Sequence, residues 1–260
     1  MNKNDKNSSE IESYIPYIYN IAFKLSQDRQ LSEDLVQETL LKAWQHWDDL
    51  KVAEARKGWL RRICVNIFLM QKRKEPDAVP LSLDALSDLD REGKSLQVID
   101  ASPLPEDEIL VAETIREMRD GCFLAMTRKL TLEQRMAFSL TDMFGMGIEE
   151  TAEIIGVSVS AAKALLHRAR TNLDSFFAKK CSMVRVENPC RCEAYLNFQN
   201  ERLERQDEVR NRIQTFRFGE QPPDYLFDAD VRQKVRTIYV QMPDRIPEPS
   251  WFETVVRTLL

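Results

Sequence analysis

Residues 148–177 read IEETAEIIGVSVSAAKALLHRARTNLDSFF and decide the fold of this chain. Apolar residues at helical spacing predict a short helix over 148–155. Gly156 suits the left-handed backbone that ends a helix, and Ser158 is placed to cap a second helix that runs to about Phe177. Two helices joined by a tight glycine turn form a helix-turn-helix, an arrangement that can place its second helix in the major groove of DNA.

The second helix of this motif has one apolar side and one polar side. The predicted buried stripe follows helical spacing and consists of Val159, Ala162, Leu166, Ala169 and Leu173. The polar side carries hydrogen-bond donors near the N-terminal end and cations further along, which suits base edges and then phosphates. The predicted DNA-binding residues are Ser158, Ser160, Lys163, His167, Arg168 and Arg170. The alternative is a purely structural helical hairpin, which does not need donors at one end of the helix and cations further along.

A second basic helix is predicted before residue 75. Its buried face is predicted to hold Trp59, Leu60, Ile63, Ile67 and Met70. Residues 61–74 contain no acid, and the predicted binding residues among them supply five cations and one amide: Arg61, Arg62, Asn66, Lys72, Arg73 and Lys74. In a chain of net charge −5, this local excess favours a nucleic-acid partner, because cations at a phosphate backbone release counterions. A solvated basic helix end is the alternative.

The helix before it carries acids on its polar side. Ser32-Glu33-Asp34 predicts the start of this helix, with a hydroxyl cap and acids in the first turn. The apolar stripe is predicted to hold Leu35, Val36, Leu40, Ala43, Trp44 and Trp47, which leaves Asp34, Gln37, Glu38 and Lys42 for the polar side. This pattern fits either an ordinary amphipathic helix or a helix that docks on a basic partner.

Composition excludes several classes of protein. Seven glycines in 260 residues argue against glycine-rich phosphate loops and favour helices. Two histidines with no nucleophile motif argue against an enzyme. The five cysteines are odd in number and unevenly spaced, which argues against a disulfide framework. The N-terminus has no apolar targeting core, and the longest apolar run (63–70) is too short to cross a bilayer. We therefore expect a cytoplasmic, non-enzymatic protein without membrane insertion.

The chain is predicted to be all-α, with two small helical domains. The predicted boundaries are a disordered N-terminus (1–10), a first helical domain (11–75), a flexible acidic linker (76–108), a second helical domain (109–180) and a mostly helical extension (181–260). The linker contains nine acids against only Arg91 and Lys94, together with four prolines, so it cannot bury enough apolar surface to become ordered.

Three motifs in this order resemble the extracytoplasmic-function (ECF) subgroup of bacterial sigma-70-type factors. Residues 31–44 resemble the helix that binds core RNA polymerase, residues 57–66 resemble the promoter-melting stretch, and the helix-turn-helix resembles the domain that reads the −35 element. The chain departs from the family in residues 67–71, where an acid is often found, and at Ala161-Ala162, which replace the usual threonine-valine.

The resemblance implies partners and residue roles. Asp34, Gln37, Glu38 and Trp44 would contact the polymerase, whose β′ coiled coil and β flap are the implied binding sites. Trp59, Arg61, Arg62, Asn66, Lys72, Arg73 and Lys74 would hold the opened −10 element of promoter DNA, and the helix-turn-helix residues would enter the −35 major groove. The sequence leaves open whether an anti-sigma factor also binds. The alternative function is a helix-turn-helix regulator that binds DNA alone, which needs neither the docking helix nor the acidic linker.

The extension carries three cysteines. Cys181, Cys190 and Cys192 form a C-x8-C-x-C pattern that could hold zinc or sense redox state, although a closed zinc site needs a fourth ligand. Inert thiols are the favoured alternative, and no cofactor is required by the implied function. Residues 193–216 are predicted to form a charged helix and residues 251–260 a short terminal helix. The aromatic residues of the extension predict that it packs against another surface, and the −35-reading domain is a candidate for that surface.

Overall fold

Helices are the regular elements of the part of the chain that the structure describes. The computed structural model describes residues 3–50, 52–74, 116, 119–188 and 229–259. Two compact units are formed, one by Met1–Ala78 together with Pro243–Leu260 and the other by Val79–Met242. The helices are α1 (Lys3–Glu12), α2 (Ile15–Ser26), α3 (Arg29–His46), α4 (Arg56–Lys74), α5 (Leu132–Phe138), α6 (Ile148–Ile155), α7 (Val159–Lys180), α8 (Ala229–Val240) and α9 (Pro249–Leu259). Residues 119–128 are also helical, and the π-helical turn Ser139–Met143 follows α5. The all-α prediction is confirmed.

The first unit is built on the packing of α2, α3 and α4 against one another. Its core consists of side chains that these helices bury completely or almost completely, among them Ile15, Ile18, Leu25, Leu35, Leu40, Leu60 and Phe68. Burial of this apolar surface is the main stabilising contribution, and it leaves the opposite side of each long helix open to solvent.

The start of α3 differs from the prediction. The helix begins at Arg29, and Asp28 is the capping residue: its backbone is extended, and its Oδ1 accepts a hydrogen bond from the Leu31 backbone N–H at 2.7 Å. Ser32, predicted as the cap, lies one turn inside the helix, where its hydroxyl donates to the Asp28 carbonyl. A carboxylate is as good a cap as a hydroxyl, and Asp28 reaches the free N–H groups of the first turn.

The second unit contains the predicted helix-turn-helix. Gly156 ends α6 with a φ of 82°, and its N–H donates to the Ala152 carbonyl at 3.0 Å. Ser158 caps α7, since its hydroxyl accepts from the Ala161 N–H at 3.2 Å. Thr131 likewise caps α5. Gly156 and Ser158 confirm the prediction.

An aromatic cluster forms the core of the second unit beside this motif. Phe138, Phe176 and Phe177 are buried, and the Tyr239 ring from α8 packs edge-on against Phe138 at a centroid distance of 4.9 Å. The Tyr239 hydroxyl donates to the Phe123 carbonyl at 2.8 Å. The extension therefore supplies part of this core.

The extension is divided between the two units. Its helix α8 belongs to the second unit, where Val231 and Val235 are buried, whereas α9 belongs to the first. The predicted terminal helix is confirmed by α9. The predicted helix over 193–216 and the acidic linker over 76–108 lie outside the described residues. None of the helices that the structure describes has the length and apolar character needed to span a membrane.

Candidate polymerase-binding and nucleic-acid-binding surfaces

The residues predicted to bind polymerase lie on one accessible side of α3. Asp34 is exposed and Gln37 and Glu38 are half-exposed, because the opposite side of the helix packs into the core. Trp44 keeps 37% of its surface exposed instead of joining the buried stripe. Glu38 forms an ion pair with Lys42 at 3.0 Å, and both side chains are partly exposed, so the pair adds only a few tenths of a kcal/mol.

Leu41 belongs to the same side and was not predicted. It is 50% exposed, and it follows Gln37 by four residues and precedes Trp44 by three. Residues at these spacings are neighbours on a helix surface. The sequence signal is that Leu41 follows Asp34 by seven residues, so that both residues project from nearly the same side of the helix, whereas the buried Leu40 projects roughly 100° from Leu41. We call Asp34, Gln37, Glu38, Leu41 and Trp44 the docking face.

The buried side of α4 is rotated from its predicted position. Leu60, Cys64, Val65, Ile67, Phe68 and Leu69 are buried. Ile63 is only half-buried, and Met70, predicted as core, is 53% exposed. Apolar residues surround most of this helix, so spacing alone does not decide which of them face the core. Burial raises the pKa of the Cys64 thiol to about 12, so this thiol stays protonated.

The rotation brings some of the predicted −10 residues together and separates others. At roughly 100° per residue, Trp59, Arg62, Met70 and Arg73 all project within about 40° of Asn66. Asn66 and Arg73 are exposed, and Trp59 and Arg62 are half-exposed. We call these five residues the α4 face. It combines cations, an amide and an apolar side chain, and Met70 is its unpredicted member.

Arg61 and Lys72 do not belong to the α4 face. They project roughly 140° and 120° away from Asn66, on the side of the buried Val65 and Phe68, and both are only partly exposed. Binding of the −10 element by Arg61 and Lys72 stays a prediction, and it would have to use a different side of α4. Lys74 is exposed at the end of α4, about 80° from Asn66.

Trp59 is anchored by an aromatic cluster. Its ring centroid lies 6.2 Å from that of Trp47, which lies 6.0 Å from that of Tyr14. The Arg56 guanidinium sits 4.7 Å from the centre of the Trp47 ring, a cation–π contact. Because Trp59 is half-exposed, one part of its ring packs in this cluster and the rest is accessible on the α4 face.

The polar side of α7 is largely as predicted. Ser158, Ser160, Lys163, His167 and Arg168 are exposed. Ala162, Leu166, Ala169 and Leu173 are buried, whereas Val159 is only half-buried. We call the five exposed residues the recognition face. Its first two members lie at the N-terminal end of α7, where unpaired backbone N–H groups also favour a phosphate.

Arg170 differs from the other predicted DNA-binding residues of α7 because its guanidinium is paired with a carboxylate of this chain. Its Nε lies 2.8 Å and its Nη2 2.6 Å from the two carboxylate oxygens of Asp142, a residue of the π-helical turn. The hydrogen bonds to Asp142 raise the pKa of Arg170, and Asp142 is buried. This two-point ion pair joins α7 to the π-helical turn and helps to position the recognition helix, while DNA contact by Arg170 stays a prediction.

The cysteine prediction remains largely untested. Cys181 is buried just beyond α7, and this burial raises the pKa of its thiol, which disfavours the thiolate that binds metal. Cys190 and Cys192 lie outside the described residues. Within the ranges that the structure describes, no cluster of three His, Cys, Asp or Glu side chains could hold a metal ion. Zinc at these cysteines stays a prediction.

Family comparisons match both units. Residues 11–76 match the family Sigma-70 region 2, and residues 120–173 match the family Sigma-70, region 4. Regions 2 and 4 in this order define a sigma-70-type factor. The chain belongs to the ECF group of that family.

Individual relatives carry the same designation. The ECF RNA polymerase sigma factor SigG of Mycobacterium tuberculosis is 30% identical, over 65% of this chain and 48% of SigG. The ECF RNA polymerase sigma factor SigE of Mycolicibacterium smegmatis is 29% identical, over 66% of this chain and 62% of SigE. The chain thus spans about half to three-fifths of these relatives. A solved structure of the sigma factor RpoE with the anti-sigma factor NepR from Bartonella quintana is 25% identical, with a TM-score of 0.43, over 68% of this chain and 98% of that chain.

Proposed function

We propose that this chain is a transcription initiation factor that binds core RNA polymerase and directs promoter recognition and opening. The observation that carries the proposal is the presence of two separate exposed cationic helix faces, on α4 and α7, in units that match regions 2 and 4. The first of these units also presents the docking face. Neither promoter recognition nor polymerase binding requires catalysis, and the relatives named above are RNA polymerase sigma factors by name.

The α4 face suits an opened DNA strand. A base that leaves the duplex stack costs a few kcal/mol, which must be offset by stacking and by hydrogen bonds to the base edge. Asn66 offers a donor and an acceptor together, and Arg62 and Arg73 can contact the strand backbone. Trp59 and Met70 supply accessible apolar surface on the same face, against which an unstacked base can pack.

The recognition face suits the major groove. Ser160 and Lys163 lie in the first turns of α7, where a recognition helix contacts base edges. Lysine can donate to guanine, and serine can bond to more than one base. His167 and Arg168 follow one turn later, within reach of phosphates that fix the helix in the groove.

The docking face suits a basic protein partner. Asp34 and Glu38 supply carboxylates, and the exposed Leu41 and Trp44 supply the apolar anchors that dominate binding energy in protein interfaces. A regulator that binds DNA alone would have no use for this combination. It would normally dimerise on a two-fold operator.

The test uses the complex of the full chain with core polymerase on promoter DNA. Arg62→Ala should reduce permanganate reactivity of the opened −10 thymines severalfold while binding to the closed duplex changes little. Lys57→Ala is the matched control, since it removes the same charge from an exposed position roughly 180° from Asn66 on α4. Equal loss of opening in both variants would contradict the assignment of the α4 face.

A further inference from the structure

The surface formed by α2 and the start of α3 holds the C-terminal segment of the chain. The Asn20 side chain is bonded through both of its polar atoms: Nδ2 donates to Asp244 Oδ1 at 2.6 Å, and Oδ1 accepts from the Arg245 backbone N–H at 3.0 Å. Lys24 Nζ lies 3.4 Å from the same Asp244 oxygen. Asn20 and Lys24 are only 9% and 7% exposed, so the segment supplies partners that such buried polar groups require.

Apolar and charged contacts extend this interface along α9. The Trp251 ring packs against the Tyr19 ring at a centroid distance of 5.8 Å, and Val255 is buried. The Arg245 guanidinium sits 5.7 Å from the centre of the Phe23 ring. The segment is thus held by specific contacts on two successive turns of α2, instead of by one shared apolar patch.

The segment also reaches α3 directly. The guanidinium of Arg29, the first residue of α3, lies 3.8 Å from Glu248 and 2.8 Å from Glu33. Arg29 projects roughly 140° away from Asp34 around the helix axis. The segment therefore contacts α3 on the side turned away from Asp34, and it leaves the docking face open: Asp34 remains exposed, and Trp44 partly so.

We propose that residues 243–259 are a positioning element that fixes α2 and α3 in the geometry that core polymerase binds, an inference that rests on the proposed function. These residues lie beyond the region 2 match, which ends at residue 76. A helix already fixed in its bound orientation loses less conformational freedom on association, which strengthens binding without a new contact to the partner. The extension thereby acts in polymerase binding through α3.

The experiment compares full-length variants for their affinity for core polymerase. Asp244→Lys places a cation beside Lys24 and removes the acceptor of Asn20, and loss of this part-buried hydrogen bond to a charged group should weaken polymerase binding roughly tenfold. Glu253→Lys is the matched control, because it makes the same charge change at an exposed position of α9 and should change affinity less than about twofold. Combining Lys24→Asp with Asp244→Lys restores an opposite-charge pair but not the acceptor of Asn20, so it should recover only part of the affinity.

Hydrogen exchange on the same variants shows whether the segment has been released. In Asp244→Lys, amides 252–259 should exchange faster while the central amides of α4 stay protected. Unchanged exchange of amides 252–259, or faster exchange with wild-type affinity, would overturn the proposal, and stronger polymerase binding would overturn it by showing that the segment obstructs docking. If wild-type chain itself does not bind polymerase, the proposed function fails instead.

Discussion

Replacing Tyr239 by alanine is predicted to weaken the DNA-reading unit strongly. The Tyr239 ring is 1% exposed, and its hydroxyl donates to the Phe123 carbonyl at 2.8 Å. It packs against the rings of Phe138 at 4.9 Å, Phe177 at 6.1 Å and Phe123 at 6.2 Å. The residue comes from the extension, yet its contacts are with the elements around the recognition helix.

The size of the effect follows from these contacts. Removing a fully buried aromatic side chain costs about 3–5 kcal/mol, since the lost packing is added to the cavity that remains. Tyr239→Phe keeps the ring contacts and removes only the hydroxyl, which should cost about 1 kcal/mol for one buried hydrogen bond. Because a domain has only about 5–15 kcal/mol of stability, the alanine variant should lose a large fraction of it.

Native-state hydrogen exchange is the appropriate assay, because it resolves the two units. The four tryptophans (Trp44, Trp47, Trp59 and Trp251) all lie in the first unit, so fluorescence does not report on the second. In Tyr239→Ala, the slowest amides of α7 should exchange about 10²- to 10³-fold faster, whereas those of α4 should not change. A change below tenfold in α7, or equal effects of Tyr239→Phe and Tyr239→Ala, would refute the reasoning.

Three further substitutions test the individual faces. Arg170→Ala should lower the free energy of unfolding by ~2–3 kcal/mol, because it leaves the buried Asp142 carboxylate unpaired, and base preference in a −35 selection should not shift. Lys163→Ala should cost ~1–3 kcal/mol of −35 binding and change the preferred base at one position, whereas Lys179→Ala, about 24 Å further along α7, should not change base preference. Met70→Ala should shorten the lifetime of the open complex severalfold. The melting temperature of the protein should not change, since half of the Met70 side chain is already in solvent. An unchanged lifetime would show that Met70 does not contact the opened strand.

Local sequence signals predicted the helix-turn-helix correctly. Gly156, Ser158 and Thr131 act within four residues of their own positions, so their roles depend little on the rest of the fold. The predicted start of α3 was wrong by one turn, because Asp28 and Ser32 are both good capping residues. Only the path of the chain after α2 decides between them. The recognition face was predictable because apolar residues recur along α7 at intervals of three and four residues, which leaves the polar residues on the opposite side of the helix.

Features that depend on tertiary packing were not predictable in the same way. Apolar residues lie on most sides of α4, so the exposure of Met70 and the separation of Arg61 from Asn66 follow from which sides α2 and α3 cover. The pairing of Arg170 with Asp142 depends on the π-helical turn, which no spacing rule indicated. In the extension, Val231, Val235 and Tyr239 follow at four-residue intervals, and this stripe is a signal that could have identified α8 as a buried helix.

Transcription from a genomic template by core RNA polymerase tests the central claim most directly. With the wild-type chain added, mapped start sites should appear downstream of a shared pair of sequence elements at fixed spacing. With Asp34→Arg, which reverses a charge at an exposed position of the docking face, these starts should disappear while α7 still binds its −35 sequence as duplex DNA. Absence of chain-dependent starts with the wild-type protein, or undiminished starts with Asp34→Arg, would contradict the account.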